Sequence, residues 1–129
     1  MTEKMRRARK AMKEALLSII KDENRIITGR IDPQYLSDNL GRKKGTAEAV
    51  VFPVSTEEVS GIMRYAWENN LPVTPRGAGT NLVGSTVPSG HGIVLDVSLM
   101  NHVLELDEET FTATVEPGVV LEDFQAYVE

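Results

Sequence analysis

The stretch Pro75-Arg76-Gly77-Ala78-Gly79-Thr80-Asn81-Leu82-Val83-Gly84 is the part of this chain whose residue types and spacing point to chemistry. Glycine reaches positive φ and lets backbone amides approach a ligand with no Cβ in the way. Several amides in succession can then face one anion as a nest. Thr80 and Asn81 add short polar side chains able to donate to the same oxygens. Arg76 adds a fixed positive charge, or else holds the turn in shape. The chemistry implied is capture of a phosphate-bearing group, not bond making. The spacing is neither the GxGxxG dinucleotide fingerprint nor a P-loop, because no later glycine opens a helix and no Gly-Lys-Ser/Thr follows. By spacing alone, a flexible connector between strands stands ahead of the cradle.

Other reactive groups are few. There are no cysteines, which removes disulfides, thiolate metal sites and cysteine nucleophiles together. His91 and His102 are the two histidines. Neither has partners at metal-ligand spacing, so both read as exposed polar residues. Asp107, Glu108 and Glu109 read as a solvated hairpin tip, which offers no dry cavity to shift a pKa. No Gly-x-Ser-x-Gly elbow is present. Trp67 reads as half-buried packing on its helix. The three Tyr and three Phe are too dispersed for nucleic-acid stacking.

The elements that must position the loop follow from periodicity. Residues 3–21 read as an amphipathic helix, with Met5, Ala8, Met12, Ala15, Leu16 and Ile19 on one face. Residues 26–29 show no clear period. Residues 30–46 read as loop, with Asp32-Pro33, Gly41 and Gly45 as breakers and Arg42-Lys43-Lys44 exposed. Residues 49–52 read as a buried strand. Ser55-Thr56-Glu57-Glu58 is a capping box. The helix it opens carries Val59, Ile62, Met63 and Ala66 on one face and stops near Asn69-Asn70. Residues 71–74 are a second strand, so the unit predicts a parallel crossover. Residues 93–97 are a third strand, and residues 103–106 and 111–115 form a hairpin. Pro117-Gly118 breaks the chain before a helix from Leu121.

With 129 residues, 41% of them apolar and 26% charged, the chain fits one ordinary globular domain. No apolar run is long enough to span a bilayer. The charged N-terminus lacks the apolar core of a secretory signal, and a cytoplasmic location is expected. The net charge of −5 hides an asymmetry: residues 1–13 carry Lys4, Arg6, Arg7, Arg9, Lys10 and Lys13 against Glu3, which leaves −10 on the rest. A basic end can seek nucleic acid or anionic lipid. Here the solvated face of a helix is the stronger reading, and no nucleic-acid partner is expected, because an acidic body repels a polyanion.

The run "VVFPVSTEEVSGIMRYAWENNLPVTPRGAGTNLVGSTVP", followed by "GIVLDVSLMNHVLELDEETFTATVEPGVVLEDFQ", resembles the first lobe of the FAD-binding domain of the vanillyl-alcohol oxidase / p-cresol methylhydroxylase superfamily. Its wording is nearest to the glycolate oxidase flavoprotein subunit and D-lactate dehydrogenases. Tyr35 to Asn39 also resembles a short segment those proteins carry ahead of the domain. The resemblance implies an α+β fold with a small mixed sheet and flanking helices. It divides the chain into an N-terminal helix and connecting loop at 1–46 and a partial FAD-binding domain at 47–129.

The resemblance also implies roles. Pro75, Arg76, Gly77, Ala78, Gly79, Thr80 and Asn81, with Gly84 and Ser85, match the loop that wraps the FAD pyrophosphate. Pro117 and Gly118 match a turn that helps enclose the dinucleotide, and Asp96 is structural. Some relatives bond the flavin through a histidine that aligns with Thr80, so non-covalent FAD is expected. Ser85 replaces a glycine of many relatives. With Glu129 as its last residue, the chain is expected to lack the family's second lobe and its substrate-binding cap. The function implied is the FAD-binding segment of a flavin-dependent 2-hydroxy-acid dehydrogenase or oxidase acting on glycolate or D-lactate, with a second electron carrier. The alternative is an inactive remnant or assembly module that binds FAD weakly or not at all. A missing lobe, or another subunit supplying it, implies an exposed apolar face and self-association through it.

Overall fold

The computed structural model describes residues 1–129. A helix α1 (Glu3–Ile20) leads into strand β1 (Ile26–Thr28), and a looped segment connects it to β2 (Ala47–Val51). Helix α2 (Thr56–Glu68) then leads to β3 (Val73–Arg76), and the glycine-rich stretch returns to β4 (Gly92–Asp96). A hairpin of β5 (Val103–Asp107) and β6 (Thr112–Val115) and a short helix α3 (Leu121–Val128) follow. The main sheet has the order β1-β2-β4-β3. β2, β4 and β3 are parallel, and β1 runs antiparallel along one edge. The fold is the expected α+β arrangement. No helix is long and apolar enough to cross a membrane.

Period-two alternation places the core on both faces of this sheet. Ala49, Val51, Ile93 and Leu95 face α1 and α2, where they meet Met12, Leu16, Ile62 and Ala66. Val50 and Val94 point the other way, against Ile31, Tyr35, Leu36 and Phe52. All five residues of β4 are buried, which explains its unbroken apolar run as a central parallel strand. The connecting segment is therefore the second face of the core, and β1 ties it to the sheet.

Three expectations change. Residues 26–28 are a strand, too short to show a period of their own. β3 extends through Pro75 and Arg76, which pair with Leu95 and Asp96 and so belong to a strand, not to the loop. β3 is a sheet edge, where a proline's missing N–H is tolerated. Trp67 is 85% exposed and Met63 46% exposed, because Tyr65 packs against the core in their place.

Around Arg25, α1, β1, β2 and α2 lock together. Its guanidinium donates to Glu58 at 2.7 and 2.9 Å, to the Phe52 carbonyl at 3.1 Å and to the Ile20 carbonyl at 2.9 Å. The capping box forms in part. Ser55 Oγ accepts from the Glu58 amide, while Glu58 reaches back to the amide of Val54 instead of Ser55. Both side chains of the pair are largely buried, at 16% and 15% exposure. The Arg25 hydrogen bonds hold the Glu58 carboxyl below the usual carboxylate range, against the opposing effect of burial.

Glu58→Gln is expected to lower the unfolding free energy by about 2–3 kcal/mol at neutral pH, because it leaves a largely buried guanidinium without its counter-charge. The depressed folded-state pKa means the pair stabilises fully above about pH 4.3, the ordinary glutamate value, and less as pH falls through the lower folded value. Urea unfolding of both proteins at neutral and acid pH checks this. A difference that fails to shrink on acidification contradicts it.

Candidate functional site

The glycine-rich stretch leaves the C-terminal end of β3, at the carboxyl edge of the parallel strands. Open α/β sheets bind ligands in the crevice outside that edge. β4 lies between β2 and β3, so the β2-α2-β3 crossover passes over one strand position and the glycine-rich stretch brings the chain back into it. Val97 donates its amide to the Arg76 carbonyl at 2.9 Å, which fixes the start of the loop against the end of β4.

The loop is braced from below by residues 35–41. Arg76 Nη1 donates to the Ser37 carbonyl at 2.8 Å, and the guanidinium lies 5.9 Å from the Tyr35 ring centroid. Arg76 therefore holds the turn in shape. Gly79, at φ +71°, crosses directly over it, and a Cβ there would overlap the guanidinium. The Asn39 amide donates to the Asn81 carbonyl at 3.1 Å. Asp38 accepts the amides of Leu40 and Gly41 through Oδ1 and that of Gly84 through Oδ2 at 2.9 Å. Asn81 Nδ2 donates to the buried Thr86 hydroxyl at 2.8 Å.

Against this bracing, the amides of Gly77 through Val83 donate to no protein acceptor. None is taken up in sheet pairing, because β3 ends at Arg76. The other end of the Asn81 carboxamide, Oδ1, is buried without a partner. That oxygen is an acceptor and adds nothing to an anion site, but seven consecutive free amides on a loop held by side chains beneath it suit a ligand rich in acceptor oxygens. A diphosphate is such a ligand, and the residues fit the pyrophosphate of a dinucleotide.

Pro117 and Gly118 come to the same edge. The Gly118 amide donates to the Met100 carbonyl at 2.7 Å, and a Cβ on Gly118 would overlap the Val97 carbonyl. Glycine is required here for close backbone approach. Asp96 is buried at the strand end and accepts the Ser98 amide at 2.9 Å, a structural contact. Ala78, Thr80 and Ser85 are exposed on the loop surface.

Sequence reasoning missed Arg42 and Lys43. Their run reads as solvated loop, yet both line a groove of ≈440 Å³ with Asp38, Leu82, Val83 and Gly84. No periodic signal places them there, since the contact spans about forty residues. His91 and His102 stay apart from the site. His91 meets Glu48 at 2.7 Å and His102 meets Glu116, both at exposed positions. No group of three or more His, Cys, Asp or Glu could hold a metal ion. The Asp107 carboxyl is held below its usual range by the amides of Thr110 and Glu109, as a hairpin turn requires.

Fold and loop together define a dinucleotide-cofactor domain: a mostly parallel sheet with a glycine-rich, amide-bearing loop at its carboxyl edge. The chain belongs to the FAD binding domain family, whose match covers residues 47–129, and FAD is the cofactor of that domain. It is 39% identical over 120 residues to the glycolate oxidase subunit GlcD of Bacillus subtilis, covering 93% of this chain and 26% of that protein. It is 37% identical over 101 residues to a D-lactate dehydrogenase of Anaerostipes hadrus, covering 77% and 21%. The structure of p-cresol methylhydroxylase with substrate bound superposes with a TM-score of 0.80 at 20% identity, over 98% of this chain and 25% of that one. That likeness shows the shared fold. The chain spans about a quarter of the length of these proteins.

Asp38→Ala removes the acceptor of three amides and is expected to cost about 1–2 kcal/mol of stability. It should also speed hydrogen exchange at the Gly84 amide while leaving β4 amides protected, as read by NMR. Unchanged exchange at Gly84 contradicts the bracing role.

Proposed function

We propose that this chain binds the pyrophosphate of FAD on the free amides of Gly77 to Val83, with Gly84 and Ser85 completing the loop. Thr80 donates from its hydroxyl, Asn81 contributes its backbone amide while its Nδ2 is held by Thr86, and Arg42 and Lys43 offset the diphosphate charge from the neighbouring groove. Pro75 and Arg76 set the angle at which the loop leaves β3, and Pro117-Gly118 flank the dinucleotide. The observation that carries this reading is the run of seven amides without protein acceptors on a braced loop. Binding is non-covalent, because the Thr80 hydroxyl is a weak nucleophile at neutral pH.

In a full-length protein built on this segment, the reaction is oxidation of a 2-hydroxy acid. Both relatives are named for such acids, glycolate and D-lactate. Bound FAD supplies the two-electron acceptor for that oxidation. The work of this chain's residues is positional: to neutralise and orient the diphosphate. No side chain here is placed to move a proton on substrate. One observation favours weak binding by this chain alone. The hairpin and α3 beyond Gly118 are exposed on nearly every residue, so they enclose little, and half a pocket loses much of the buried ligand surface that sustains affinity.

Fluorescence titration separates these readings. FAD should quench saturably, and ADP should compete for the loop. Riboflavin, which lacks the diphosphate, should bind at least about tenfold more weakly. Gly79→Ala, strained by its positive φ and its overlap with Arg76, should abolish quenching. Arg42→Ala/Lys43→Ala should weaken it and flatten its salt dependence. Absence of saturable quenching by FAD favours the inactive remnant, and equal binding of riboflavin contradicts the diphosphate assignment.

A further inference from the structure

The tip of the β5–β6 hairpin carries a side chain that the fold does not explain. Phe111 is 93% exposed and sits at φ +54°, a backbone conformation that bulky residues adopt at a cost. Asparagine or glycine would suit that position better, and no packing recompenses the ring. Beside it stand Asp107, Glu108 and Glu109. The whole segment 103–129 holds eight carboxylates and no Lys or Arg. It is an apolar knob on an acidic arm.

The opposite edge of the molecule carries its complement. A groove of ≈380 Å³ is walled by Met5, Ala8, Met12 and Leu71, with Arg9, Glu48 and His91 at its rim. Leu71 precedes β3, His91 precedes β4 and Glu48 lies at the start of β2, so the groove opens at the N-terminal edge of the parallel strands. The hairpin departs from their C-terminal edge, so a knob cannot fill the groove of its own chain. At about 100° per residue, Arg6 and Lys13 flank the groove face of α1 on one side and Lys4 on the other. Glu48 is already engaged by Arg9 at 3.8 Å and His91 at 2.7 Å, while the buried Nε of Arg9 has no partner. Arg6 is paired with Glu3 at 3.4 Å and Lys13 with Glu23 at 2.6 Å, so Lys4, which pairs with no carboxylate of its own chain, is the flanking cation left for an incoming one.

We propose that the chain associates head to tail: Phe111 of one copy seats in the Met5–Met12 groove of the next, and the carboxylates beside it meet Arg9 and the flanking Lys4 of α1. The occupant is a second copy because knob and groove match in both polarity and sign of charge, net +5 over residues 1–13 against eight carboxylates over 103–129. A contact between two different patches does not close on itself at two copies. The groove half of this contact lies at the strand edge opposite the FAD loop, and neither half uses a residue of that loop.

Sedimentation velocity on the full chain, from micromolar to near-millimolar concentration at low and high salt, tests this. Species should grow past the dimer with concentration and weaken as salt rises. Phe111→Asn, which relaxes the backbone and keeps the hairpin, should weaken association by about tenfold or more, as loss of a central aromatic anchor does. Lys4→Glu/Arg6→Glu and Glu108→Lys/Glu109→Lys should each be monomeric alone and associate when mixed, since mixing restores opposite charges. A monomer at every concentration overturns the proposal and assigns the knob to another occupant, such as further chain in a longer protein. So does a dimer that saturates at two copies, association indifferent to Phe111→Asn, or charge variants that fail to pair on mixing.

Discussion

The site rests on the seating of one guanidinium. Arg76 ends β3 pointing beneath the loop, where the Ser37 carbonyl accepts a hydrogen bond from it, the Tyr35 ring lies alongside, and Gly79 crosses above it without a Cβ. This arrangement joins the second core face to the strand end from which the loop departs. Without it, Asp38 and Asn39 would have no fixed position from which to hold Gly84 and Asn81. A loop that binds through backbone amides gains nothing if ligand binding must also order it. Holding it from below with side chains leaves the amides free while the conformation is set in advance.

A second lock stands at the other end of the sheet. Arg25 and Glu58 join the end of α1, the end of β2 and the start of α2, so the crossover that delivers β3 to its place is anchored at its origin. Between these locks lie the buried strands, and the core is continuous through residue 100. Beyond it the hairpin and α3 contribute no buried residue. They are attached by backbone contacts at the base: Gly118 to Met100, Glu116 to His102 and the His102–Glu116 side-chain pair. A two-stranded hairpin is marginal alone, so this part of the chain is structurally the one that a partner surface would stabilise most.

Much of the fold was legible because it is encoded locally. Ser55 at the N-cap, Asn70 in the left-handed conformation and the apolar run of β4 announce themselves within a few residues. The failures share a cause. Three residues of β1 cannot display a period, and Trp67 looked like core only because the apolar face of α2 was drawn one position too wide. The capping box shows the boundary clearly. Its Ser55 half is local and formed as read, while its Glu58 half was redirected to Val54 and to Arg25, a partner distant in sequence.

The sequence by itself determined the FAD-binding family, through its resemblance to known members, and the order of elements and the place of the glycine-rich loop, since backbone permissiveness and periodic burial are written in consecutive residues. Tertiary structure alone decided that Arg76 is a brace, that Asp38 and Asn39 hold the loop, that Arg42 and Lys43 stand beside it, and that Phe111 is left without cover. Each of these depends on which distant segments the sheet brings within a few ångströms of one another. Residue type says what a side chain can do, and only packing says what it is next to.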